Sequence, residues 1–302
     1  MLRTLRSKIG EFVYYKILSA LFFKNSGMYV LEERWDNLII LDACRYDIFE
    51  RVYRKGGMGG RLEYRFSRGT NTATFLIENF GYGKFEDIVY ITANPMVNRF
   101  LEGRFYKIIP VWKAYWDDRS NTVPPSAVYY SVLEVLEKYP NKRLIIHFLQ
   151  PHPPYPNGTG YHKVVNGEVK CKIDKDCEIN WRNFRIRPIK VDKLLEGYIE
   201  NLKLALPYVK KLINILPGRT VVTADHGEAF GEIIHPLIPV RVYSHPRGIR
   251  IPALTKVPWL VVEMKKDNDE KRTIVEKERV RLKIKEFKKM GKYEKYELQV
   301  SP

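Results

Sequence analysis

Short unbroken apolar runs alternate along this chain with longer amphipathic stretches. NLIIL, around Leu38 to Leu41, is one such run, LIIHFL from Leu144 to Leu149 is another, and the β-branched and small residues from Thr220 to Ala224 are a third. Continuous apolar runs bounded by turn residues read as strands buried on both faces, because a half-exposed strand would alternate with polar residues. Strands are predicted near 37–42, 88–93, 143–149, 219–224 and 257–263, and helices near 71–80, 126–138 and 192–215, with a further helix start just after Asp42. Pro207 falls inside the last helix and is expected to kink or split it, since proline removes a backbone donor and crowds the preceding turn. Strands alternating with helices predict an α/β fold: a mostly parallel central sheet with helices on both faces.

The 302 residues divide into three regions by pattern. Residues 1–30 form a basic amphipathic segment, in which Arg3, Arg6 and Lys8 precede an apolar run from Phe12 to Phe23 that Lys16 interrupts. That run is too short to span a bilayer and no small-residue cleavage site follows it, so it is expected to pack on the domain or lie on a membrane surface. Residues 31–264 carry the α/β domain. Residues 265–302 mix charges of both signs with Ile274, Val275, Leu282, Ile284 and Phe287, which predicts a charged C-terminal helix. Within the domain, 156–190 breaks the alternation and reads as an insertion over the site. Its WRNFRIRPIK portion interleaves Trp181 and Phe184 with Arg182, Arg185 and Arg187, which suits an anionic ligand with a stackable body, or a solvated loop. Cys171 and Cys177 are close enough in sequence to pair in an oxidising setting, while Cys44 has no evident partner.

A formal net charge of +17 favours phosphate-rich substrates, nucleic acid or an anionic membrane as partners. No nucleic-acid module is recognisable, so no specific nucleic-acid partner is expected. The expected location is cytoplasmic, with peripheral membrane contact as a variant, and the Lys, Arg and Glu content suits a thermophile.

Candidate chemistry gathers where the strands end. VVTADHGE places Asp225 and His226 side by side after one strand, and NLIILDACRYD ends another on Asp42. In open α/β sheets, sites are built at the carboxyl ends of strands. Two carboxylates and a neutral imidazole form an oxygen-rich set for one divalent cation, with Mn²⁺ favoured and Mg²⁺, Ca²⁺ or Zn²⁺ also suited. SRGTNTATF puts Thr70 near a helix N-terminus, where an anion is favoured, and makes it the expected nucleophile and fourth ligand. Ser67 and Thr72 are its rivals, because pattern does not fix a helix start to the residue. His152, in a Pro-rich turn, His245, in YSHPRG, and Arg68 would bind the oxygens of a tetrahedral anion, and one histidine would protonate the leaving oxygen. Arg45, next to this set, either lines the pocket or packs on the domain. The implied reaction is attack on phosphorus or sulfur of an ester through a covalent threonine intermediate.

In this order the motifs resemble the alkaline phosphatase superfamily, in its branch of sulfatase-like enzymes and phosphoglycerol transferases such as lipoteichoic acid synthases. The resemblance runs from about Asn37 to Val262. It implies a metal ligand at Asp42, a helix-start nucleophile at Thr70, a substrate-binding His152 in a PHxPY-like turn, metal ligands at Asp225 and His226, and His245 before the KVPWLVV strand. The Cys-x-Pro-x-Arg signature of formylglycine sulfatases is absent around Thr70, which places phosphate esters and diesters ahead of sulfate esters. Ala43 and Gln150 stand where sulfatases often carry further carboxylates, so one cation is expected and not two. The alternative reading is a catalytically inactive protein on the same fold that uses its basic ends to bind membrane or nucleic acid.

Overall fold

A computed structural model describes residues 25–156, 164–165, 168–169, 191–236 and 238–264. The expected N-terminal segment up to residue 24, the Cys171 and Cys177 pairing, the 181–190 stretch and the C-terminal helix lie outside the described residues. In chain order the elements are β1 (Asn37–Leu41), α1 (Tyr46–Gly56), β2 (Arg61–Phe66), α2 (Thr72–Phe80), β3 (Phe85–Thr92), α3 (Pro95–Leu101), β4 (Phe105–Pro110), α4 (Val111–Tyr115), α5 (Pro125–Lys138), β5 (Arg143–Phe148), β6 (Val164–Val165), β7 (Glu168–Val169), α6 (Val191–Ile213), β8 (Arg219–Thr223), β9 (Ala229–His235), β10 (Ile238–Ser244), α7 (Pro252–Thr255) and β11 (Lys256–Glu263).

Seven strands form the central sheet in the order β2-β11-β8-β1-β5-β3-β4. β1 pairs in parallel with both β5 and β8, and β3 pairs in parallel with both β4 and β5. β11 runs antiparallel to its neighbours β8 and β2, so the sheet is mostly parallel, as the alternation of elements predicts. Two apolar layers flank it. Ile39 and Leu41 of β1 point into one, with Phe49 of α1, Val132 of α5 and Leu202 of α6. Leu38 and Ile40 point into the other, with Phe75 and Leu76 of α2 and Val97 of α3. Burial on both faces explains why β1 is apolar at every position beyond Asn37.

Two expectations are corrected. Of the kink or split expected at Pro207, the split does not occur: α6 runs as one helix from Val191 to Ile213. Leu202, Ala205, Leu206 and Val209 keep one continuous buried face through that position, so tertiary packing outweighs the missing donor. The second correction is to the number of strands, since β2, β4 and the antiparallel β9–β10 hairpin add to those expected. Among the described residues no helix is long and apolar enough to cross a membrane.

Candidate metal centre

Asp42 and Asp225 follow two adjacent parallel strands, β1 and β8, so pairing of those strands brings their side chains together although 183 residues separate them. Asp42 does not cap the helix that follows. Arg45 occupies the N-cap position of α1, which leaves the Asp42 carboxylate to the interior. Asp42, Asp225 and His226 are all fully buried. Each carboxylate is held by one oxygen: Asn94 Nδ2 donates to Asp42 Oδ2 at 2.6 Å, and the Ala43 and His226 amides donate to Asp225 Oδ1 at 3.0 and 2.9 Å. Ala43 reaches that amide position with a left-handed φ of 61°. The Tyr198 hydroxyl on α6 pins the turn, donating to Ala43 O at 2.7 Å and accepting from the Arg45 amide at 2.8 Å.

The other two oxygens, Asp42 Oδ1 and Asp225 Oδ2, are buried without a hydrogen bond. They lie 3.6 and 3.3 Å from His226 Nε2. His226 Nδ1 sits 2.7 Å from Gly227 O, a contact that places the proton on Nδ1 and turns the Nε2 lone pair toward the carboxylates. Gly227 is required here, because a Cβ would run into the Ala253 carbonyl. One ligand atom from each of the three residues falls within 4.8 Å of the others. Burial, then the facing charge of Asp225, holds the Asp42 carboxyl well above the usual range, and burial raises Asp225 also. Burial pushes His226 well down. Two ionised carboxylates in such a place cost several kcal/mol each without a partner, on the order of a domain's entire stability of about 5–15 kcal/mol. A divalent cation answers both unpaired oxygens and the imidazole lone pair at once, so the residues fit one.

Thr72 supplies the hydroxyl at this cluster, its Oγ1 lying 3.3 Å from His226 Nε2. It is the first residue of α2, whose N-cap is Asn71. Asn71 and Thr74 form a reciprocal capping box, which fixes the helix start and with it the direction of Thr72. Gly69 lets the preceding loop close onto the helix, since a Cβ there would lie 2.5 Å from Phe75 Cβ. Thr70, the expected nucleophile, is differently engaged: its Oγ1 accepts the Gly248 amide at 2.8 Å. Its rival Ser67 donates to the Asp225 carbonyl at 2.5 Å.

His245 and His152 form the outer side. The His245 ring centroid is 4.7 Å from that of His226 and 5.1 Å from that of His152. His245 Nδ1 meets the fully buried Glu228 carboxylate at 2.9 Å. Burial works to discharge His245, and the Glu228 carboxylate outweighs it, so the imidazole is shifted toward its protonated form. The His152 amide donates to Asp42 O at 3.1 Å, tying the turn after β5 to the end of β1.

Two expected anion-binding arginines have other partners. Arg45 pairs with Asp47 at 2.8 Å and Glu232 at 2.5 Å, and Arg68 stacks over Tyr29 at 3.8 Å while pairing with Glu78 at 3.1 Å. Pattern did not single out Asn94, His147 or Glu228. Glu228 had a visible signal, standing two positions past His226 in DHGE. His147 had none, being one residue within an otherwise apolar strand. It is fully buried, with its pKa lowered by burial to about 4.

No protein-family model matches the chain. No curated protein matches it. Among solved structures it is similar to the integral membrane lipooligosaccharide phosphoethanolamine transferase A from Neisseria meningitidis, with 15% identity, a TM-score of 0.44, and coverage of 74% of this chain and 47% of that one. The chain thus spans about half the length of that protein. It is similar to the C-terminal periplasmic domain of EcEptC from Escherichia coli, in complex with Zn, with 14% identity, a TM-score of 0.42, and coverage of 74% and 72%. A protein in the alkaline phosphatase superfamily from Vibrio parahaemolyticus matches with 14% identity, a TM-score of 0.39, and coverage of 77% and 61%.

Proposed function

We propose that this chain is a metal-dependent hydrolase or transferase of phosphate esters or diesters, with Thr72 as its nucleophile. The observation that carries the reading is a threonine hydroxyl at a helix N-terminus, 3.3 Å from His226 Nε2, beside two buried carboxylates that each keep one oxygen unbonded. A divalent cation held by Asp42, Asp225 and His226 would ease loss of the Thr72 proton to solvent water and offset negative charge on the substrate. Thr72 Oγ attacks phosphorus at the positive end of α2, where the macrodipole favours the anion. As the Oγ–P bond forms, the bond to the leaving oxygen breaks, and His245, held toward its protonated form by Glu228, donates the proton that oxygen needs. His152 binds a non-bridging oxygen. Water or an acceptor alcohol, giving its proton to the now neutral His245, then attacks phosphorus as the bond to Thr72 Oγ breaks, and the choice of acceptor decides between hydrolysis and transfer.

The metal-loaded protein is expected to turn over aryl phosphate or phosphodiester probes ahead of aryl sulfates. Acid quenching followed by peptide mass spectrometry should find a phosphorylated Thr72. Thr72→Ala should abolish both turnover and adduct while leaving metal content intact, and Thr70→Ala should keep both. An adduct on Thr70, or turnover unchanged in Thr72→Ala, overturns the assignment.

A further inference from the structure

Among the described residues, His147 is the one fully buried imidazole beside the cluster to which the mechanism above gives no part. β5 carries it between Ile146 and Phe148, in register with Ile40 of β1 and Thr92 of β3. It lies on the face of the sheet that Tyr90 of β3 shares, and Tyr90 is fully buried too. His147 Nδ1 and the Tyr90 hydroxyl are 3.0 Å apart. Its Nε2 is buried without a hydrogen bond and lies 3.8 Å from Asp42 Oδ2, the oxygen that Asn94 already holds at 2.6 Å.

A neutral imidazole has one N–H to place, and two arrangements fit the Tyr90 contact. If His147 Nδ1–H donates to the tyrosine oxygen, the Nε2 lone pair faces a carboxylate oxygen, which is repulsive. If the Tyr90 hydroxyl donates to Nδ1, Nε2 carries the proton and turns a bond dipole toward that oxygen, which is attractive. The second arrangement is favoured, and it makes Tyr90, His147 and Asp42 a single polar line through an apolar layer. A carboxylate rotates easily about χ2, whose preference is broad and two-fold. The Asn94 hydrogen bond, together with the Nε2–H dipole of His147 facing the same oxygen from 3.8 Å, opposes that rotation and keeps Asp42 Oδ1 turned toward His226.

We propose that His147, oriented by Tyr90, is a positioning residue that holds the Asp42 carboxylate in its cation-binding orientation. The proposal rests on the reading of Asp42, Asp225 and His226 as a metal site. A group that orients a metal ligand without touching the metal changes affinity by about 10–100-fold when removed. A buried histidine kept only for packing would change stability and leave affinity alone.

The test is binding of Mn²⁺ or Zn²⁺ alone to the full chain, measured by chelator competition, with melting of the metal-free protein recorded in parallel. His147→Phe should bind about 10–100-fold more weakly than the unmodified protein. Tyr90→Phe keeps the ring and removes one hydroxyl, and should weaken binding in the same direction by less. His147→Gln, whose amide N–H can also face Asp42, should recover part of the loss. If His147→Phe fails to fold, Tyr90→Phe decides: affinity within twofold of the unmodified protein overturns the proposal. The same result for a folded His147→Phe overturns it as well. An unmodified protein that binds neither ion overturns the metal reading itself, an outcome distinct from a bound ion with unchanged variants.

Discussion

The inner and outer sides of the site are built by different means. On the inner side, backbone groups set two of the three candidate ligands, two amides holding Asp225 Oδ1 and the Gly227 carbonyl fixing the His226 tautomer, while the Asn94 side chain holds Asp42, and all three are fully buried. On the outer side, one side chain holds another, and the His245 side chain, held by Glu228, remains 22% exposed. Backbone-set groups have little freedom to adapt, which suits a small ion of fixed demands. Groups held through side chains and open to solvent suit a ligand that must enter and leave. Binding of the ion and processing of the substrate are therefore expected to separate by mutation.

The largest effect is expected from Asp225→Asn, which keeps the shape and the Oδ1 acceptor but removes the charge that Oδ2 brings. Metal affinity should fall beyond the about 10–100-fold that loss of an outlying partner produces. Metal-dependent turnover should disappear with it. Elemental analysis of the variant after dialysis checks this. Metal retained at full stoichiometry would end the distinction between the two sides.

The inner side was the more legible in the sequence. Apolar runs that end at Asp42 and just before Asp225 identify buried parallel strands and the candidate ligands at their carboxyl ends together, since burial on both faces leaves few polar residues within them. Edge elements lack that signal. RLEYRF of β2 keeps most of its residues exposed or half-exposed at the rim of the sheet, and FYKIIP of β4 buries one position. Neither forms an apolar run or a clean alternation. For the hydroxyl, the sequence points to Thr70 with Ser67 and Thr72 as rivals, and it is Thr72 Oγ1 that lies 3.3 Å from His226 Nε2. What pattern could not weigh was the Asn71 cap, which starts the helix one residue later and hands the cluster position to Thr72. Asn94 acts on Asp42, a neighbour brought close only by folding, which spacing along the chain does not express, and the same holds for the partner, though not the position, of Glu228.

A smaller effect, confined to the outer side, is expected from His245→Ala. Removing a general acid lowers the rate by about 10²–10⁴-fold. Metal affinity should stay within about twofold, because Asp42, Asp225 and His226 keep all their own contacts. Loss should also depend on the leaving group: an aryl ester whose oxygen departs without a proton should suffer less than an alkyl ester. Equal loss on both would remove His245 from proton donation and leave it a role in binding alone. A parallel fall in metal content would instead join His245 to the inner side.

The smallest effect concerns Arg68, which the sequence motifs suggest for the anion and which the structure shows engaged with neighbouring segments. Arg68 stacks on Tyr29, donates to Gly27 O at 2.9 Å and pairs with Glu78, so it clamps the segment before β1 to the loop that leads into α2. Its side chain is 14% exposed and that of Glu78 40%, so the ion pair is partly screened and adds about 0–1 kcal/mol. The stack and the hydrogen bond each add about 1 kcal/mol. Arg68→Ala should therefore lower the melting temperature measurably and leave kcat/KM within about twofold. Arg68→Lys is the sharper comparison, because lysine keeps the charge and loses the planar fork. Were Arg68 an anion-binding group, lysine would preserve KM and alanine would raise it. As a clamp it should lose stability in both variants, with KM unmoved in either.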